Sequence, residues 1–157
     1  MWKAALRPVE LQEREPVFSP LGGEHYALGL ETIYEGYLLH YGRPRLFAPA
    51  DGDNALLLGD YLFAHGLVRI ARLDAVEAVV DLAELISLCG QLRAEGRTED
   101  GPPWAATASC LGRGGLDEAR AALRLHGDAG PLLDLAREAA GGDAVERALG
   151  AHRERVR

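Results

Sequence analysis

Residues 54–92, NALLLGDYLFAHGLVRIARLDAVEAVVDLAELISLCGQL, form the longest stretch in which apolar residues dominate and no proline intervenes. Asp60, His65, Arg69, Arg72, Asp74, Glu77, Asp81 and Glu84 recur through it, too often for a segment lying in hydrocarbon. The stretch therefore predicts a buried helical hairpin at the centre of a soluble all-α domain. Its first helix runs from about 54 to 72. One stripe on it is Leu58, Leu62, His65, Arg69 and Arg72; a broader apolar one is Leu57, Tyr61, Ala64, Val68 and Ala71. Asp74 followed by Glu77 reads as a capping box that breaks the rod, and the second helix covers about 75 to 95.

The remainder of the chain fits the same class. A length of 157 residues suits one domain able to bury a core without disulfides or metal. Alanine and leucine are abundant and β-branched residues scarce, which favours helix. The formal charge of -7 argues against nucleic acid as the main partner, because backbone binding needs a concentrated basic face. Cys89 and Cys110 are too few for a disulfide framework, and the start MWKAALRPVE lacks the apolar core of a signal peptide, so a cytoplasmic location is expected.

Residues 1–18 read as an arm, kept from forming one helix by Pro8 and Pro16. A helix follows, starting at Ser19-Pro20 or at Glu24 and stopped by Gly42-Arg43-Pro44. Residues 43–53 form a loop whose acids can cap the next helix. Beyond the hairpin, shorter helices are expected at 104–112, 116–127, 131–140 and 144–156, making a thinner, less regular C-terminal third.

Few residues suggest chemistry. Glu31 and Glu35 lie one turn apart and could share a metal, but no Glu-x-x-His accompanies them, and a solvated or arginine-paired edge is the plainer reading. Glu77, Asp81 and Glu84 read as a solvated acidic face. His40 with Arg43 and Arg45 makes a positive corner suited to an anion such as phosphate. His65 reads as a satisfied core histidine and Cys89 as packing; His25, His126 and His152 receive no role. No phosphate loop, GxSxG elbow or HExxH is present. No catalytic, cofactor or metal residue is therefore assigned.

The run Asn54–Ala64, NALLLGDYLFA, resembles the segment of trans-prenyl diphosphate synthases (the polyprenyl synthetase family) that opens the helix after the first aspartate-rich motif. Leu38-Leu39-His40 and Gly42-Arg43-Pro44 look like the residues on either side of that motif. Ile86–Leu92, with Gly90 and Gln91, is similar to a later glycine–glutamine signature. Trp104–Gly112 and Leu123–Ala136 resemble the approach to the second motif. The likeness spans about 24–140 and implies a reduced isoprenoid synthase fold. Both metal-binding motifs are missing, however. His40 runs through Tyr41 straight into Gly42-Arg43-Pro44, and the second aspartate pair falls at Arg137-Glu138. The chain is also about half the family's usual length.

The resemblance thus implies a non-catalytic regulatory or structural subunit, or a binding module linked to isoprenoid biosynthesis. Its partner would be a catalytic prenyl synthase and its ligand a diphosphate or a lipid. One alternative is a reduced prenyltransferase acting on allylic diphosphates through His40, Glu31 and Glu35. The other is a helical binding domain unrelated to isoprenoids. Helices apolar on two sides are hard to cover in a chain this short, so an oligomer is expected.

Overall fold

The computed structural model describes residues 2–156, which form eight α-helices: α1 (Trp2–Ala5), α2 (Ala27–Tyr41), α3 (Gly52–Ala71), α4 (Val76–Ala94), α5 (Gly101–Cys110), α6 (Asp117–His126), α7 (Gly130–Ala140) and α8 (Gly142–Arg153). The expected all-α class holds. Among the described residues the extended contacts are two isolated bridges, Leu6 with Phe47 and Gly42 with Val156. No helix of the described residues is long and apolar enough to cross a membrane.

The centre of the fold is α5. Its sequence, GPPWAATASC, carries no charge, and its prolines occupy the first turn, where no helical N–H is lost. Nothing in it resists being surrounded, and nine of its ten residues are buried. It packs against α4, α7 and α8 and the 3-10 turn Ser19–Leu21. Trp104 stacks on Phe18 at 5.4 Å between ring centroids and meets Tyr34 edge-on at 5.0 Å. These are favourable aromatic geometries, each worth roughly 1 kcal/mol beyond burial.

The stretch 54–92 does form two helices, α3 and α4, but it is not the middle of the core. α3 buries five of its twenty residues, because most of its packing is against one neighbour, α2. Nor is the break between α3 and α4 a capping box. Asp74 takes a left-handed backbone (φ 55°), and Ala75, without a side-chain cap, stands at the N-terminus of α4.

What brings α3 onto α2 is a seam of glycines. A Cβ on Gly36 would lie 2.9 Å from the Gly59 carbonyl oxygen, and one on Gly59 would lie 3.1 Å from that of Gly36. One turn pair further on, a Cβ on Gly66 would come 2.9 Å from the Gly29 carbonyl oxygen. The two backbones therefore touch where side chains would hold them apart.

Ahead of α2, the arm is tied to residues 45–48. Arg7 N donates to Leu46 O, Ala48 N to Ala5 O and Glu13 N to Arg45 O. Val17 and Phe18 enter the core, while Trp2, Leu6, Val9 and Leu11 stay exposed. The C-terminal third is better packed than expected, since α7 lies along α5 and α8 closes over its start.

Gly36→Ala should lower unfolding free energy by about 1–3 kcal/mol, the usual cost of overpacking. Gly52→Ala, with open space around it, should be neutral. Urea unfolding followed by circular dichroism checks both.

Candidate functional site

A concavity of about 650 Å³ lies between α2, α3 and the arm. Its walls are mainly apolar: Trp2 and Phe47 at one side, Leu28 on α2, and Tyr61 and Leu62 on α3. That size and lining are those of a small-molecule or lipid-chain site.

The floor of the groove is ionic. Arg45 Nη1 donates to Glu31 Oε2 at 2.7 Å and its Nε to Glu35 Oε2 at 3.1 Å. The expected arginine-paired edge is thus present, but it is buried rather than solvated: Glu35 and Arg45 are 1% and 3% exposed. Glu31 Oε1 also accepts the backbone N–H groups of Val17, Phe18 and Ser19, and Glu35 Oε1 that of Leu46. Burial works against the Arg45 charge, but the two carboxylates outweigh it and hold the guanidinium above its ordinary range. Every lone-pair direction used here points to a protein donor.

The rim differs. Arg14 donates to Gln12 Oε1, and Arg69 Nε to His65 Nε2 at 3.2 Å; among the described residues neither is paired with a carboxylate. Glu13, the remaining acid of the lining, is held by Arg43 at 2.6 Å and Arg155 at 2.7 Å. Among the described residues, the charges of this groove without an oppositely charged partner are therefore cationic.

Several sequence expectations change. The corner of His40, Arg43 and Arg45 does not form an anion site, because tertiary contacts supply each cation with an acid. His40 lies 3.1 Å from Asp60, off the line of a hydrogen bond, and stacks on Phe63; Arg43 goes to Glu13 and Arg45 to the groove floor. His65 stacks on Tyr61 at the groove edge and is half-buried instead of sitting in the core. Of the acidic stripe, Asp81 is buried: it takes Arg120 Nη2 at 3.0 Å and the Gly112 N–H. Glu77 stays exposed and Glu84 lies 3.6 Å from Arg124. Cys89 is buried, which pushes its thiol well above the usual range and keeps it protonated.

A second polar cluster was missed. His152 Nδ1 lies 2.9 Å from Tyr34 Oη, and its Nε2 lies 3.1 Å from Asp100 Oδ1. Asp100 Oδ2 accepts the Tyr37 hydroxyl, Arg93 Nε at 3.0 Å and Arg93 Nη2 at 2.5 Å. With Nε2 donating to the carboxylate, Nδ1 is left to accept from Tyr34. Val145, Ala148, Leu149 and His152 share one helical face, and that spacing was the available signal for a buried histidine. Among the described residues, no three His, Cys, Asp or Glu side chains are grouped to hold a metal ion.

Compared with family models, curated proteins and solved structures, the chain matches none of them. Its function is argued from these residues.

Burial works to raise the Asp100 pKa, but the hydrogen bonds from His152, Tyr37 and Arg93 outweigh it, leaving the carboxyl below its ordinary value. A folded-state pKa below the unfolded one stabilises above the unfolded value, near 4, and the contribution fades as pH falls through the folded value. Asp100→Asn should therefore cost roughly 3 kcal/mol or more at neutral pH. The gap from the unsubstituted chain should close below about pH 4. Urea midpoints across pH 2–7 check this.

Proposed function

We propose that the chain is a non-catalytic helical binding subunit with a polyprenyl-synthetase-like scaffold, which holds an anionic amphiphile in the α2–α3 groove without transforming it. One observation carries the reading. Each carboxylate of the groove is already committed to arginine or backbone donors, whereas Arg14 and Arg69 at the rim form no ion pair with a carboxylate among the described residues. A ligand with an apolar chain and a phosphate-type head matches both the walls and the rim.

The sequence resemblance makes an isoprenoid diphosphate the ligand to test, and a catalytic prenyl synthase the partner. Metal-assisted ionisation of such a diphosphate needs carboxylates free to bind the ions. Glu31 and Glu35, the acids of the reduced-enzyme alternative, instead neutralise Arg45. Their fixed positions favour binding over turnover.

Titration of the Trp104→Phe chain with farnesyl diphosphate, followed by fluorescence of Trp2, which lines the groove, should saturate without magnesium. Arg14→Ala/Arg69→Ala should weaken it about tenfold or more, as expected for losing charge-assisted hydrogen bonds. Isopentenyl diphosphate and magnesium should give no condensation product. Magnesium-dependent turnover would replace this reading with the reduced-enzyme one, and failure to saturate would sink both.

A further inference from the structure

His65 lines the groove from α3, one turn after Tyr61 and one turn before Arg69. Its ring stacks on Tyr61, with 5.6 Å between centroids and 10° between planes. Arg69 Nε donates to its Nε2 at 3.2 Å. An arginine N–H can only donate, so Nε2 is the acceptor and the neutral ring carries its hydrogen on Nδ1. The stack and the hydrogen bond thus hold the imidazole in one tautomer and one orientation. In that state His65 occupies a donor of Arg69, a rim arginine without a carboxylate partner among the described residues.

Protonation reverses that role. An imidazolium has a hydrogen on both nitrogens and accepts nothing, so the bond from Arg69 is lost. Arg69 Nε–H is freed, His65 Nε2 gains a hydrogen, and the rim gains a unit charge. Two cations one helical turn apart repel, and an anion set between them turns the repulsion into two charge-assisted hydrogen bonds. The carboxylates that line the groove with His65 do not supply that anion. Glu31 and Glu35 on α2 are taken by Arg45 and by backbone N–H groups, and Glu13 on the arm by Arg43 and Arg155. Arg14, also on the arm, adds a further cation.

We infer that His65 is a third headgroup residue beside Arg14 and Arg69, and that it binds only as imidazolium, so that the groove takes up a proton together with its anionic ligand. This rests on the groove's being the site of an anionic amphiphile and adds a condition to it. Histidine changes charge between about pH 5 and 8, so the groove holds an anionic head more tightly on the acid side of that range and releases it on the other. The coupling is reciprocal: the factor by which the proton strengthens the anion is the factor by which the anion strengthens the proton. An uncharged amphiphile with the same chain gains nothing from a lower pH.

The test is a titration with farnesyl diphosphate at pH 8 and at pH 6, on the Trp104→Phe chain with and without His65→Gln. Glutamine keeps an acceptor for Arg69 but gains no charge. The ligand's own titration is common to both chains and cancels in the ratio of their Kd values. That ratio should be near one at pH 8, and at pH 6 should favour the chain with His65 by about tenfold, as one charge-assisted hydrogen bond gives. His65→Arg, a charge that does not titrate, should bind about tenfold tighter than the chain with His65 at pH 8. Calorimetry at pH 7 in buffers of different ionisation heat should show more proton uptake with His65 than with His65→Gln. The stack and the hydrogen bond of His65 are both to its own helix, so the variants keep the fold. Kd values whose ratio stays the same at pH 8 and pH 6 would overturn the inference and leave the ligand reading standing, since both chains would still saturate. No saturation in any chain at either pH would overturn both.

Discussion

One buried carboxylate, Asp100, ties the helices together. It sits just before α5, at 1% exposure, and takes donors from Tyr37 on α2, Arg93 on α4 and His152 on α8. A charge at that depth is costly to desolvate unless each of its lone pairs finds a donor. Those donors come from three different helices, so the cost is offset only when all three dock. The same condition fixes Trp104 one turn on, against Phe18 and Tyr34. The arrangement specifies the register of α5 among its neighbours, which hydrophobic burial alone would leave free to slide.

The other half of the molecule solves a different problem. α2 faces the core with Leu30, Ile33, Tyr34, Tyr37 and Leu38, so it must meet α3 with small residues. The glycine pairs let the backbones touch, and close approach along one seam narrows the contact to a strip. Beside that seam the arm and residues 45–48 complete a groove floored by Arg45, Glu31 and Glu35. The groove's electrostatics follow from this construction. Its acids hold the arm and the loop in place, and among the described residues the rim arginines Arg14 and Arg69 are left without a carboxylate partner.

The same narrow seam explains why α3 is apolar twice over. A helix held by glycines buries little of its circumference, and five of its twenty residues suffice. The opposite stripe contributes nothing to the fold of one chain.

The sequence by itself determined the class and much of the segmentation. Apolar residues at helical spacing, with glycine and proline between, predicted α2, α3 and α4 to within a few residues. Helical periodicity is local, so it is legible in one dimension. It also showed Glu31 and Glu35 one turn apart, and a stripe from Leu57 to Ala71. Only the tertiary structure decided what each faces. Arg45 reaches the two glutamates, Arg120 reaches Asp81 across 39 residues, and Asp100 gathers partners up to 63 residues away. Such pairings depend on where separate helices dock, and docking is decided by close backbone approach and by the satisfaction of buried charge. For that reason a ten-residue helix without a charge became the centre, and the long apolar stretch from 54 to 92 became one side of it.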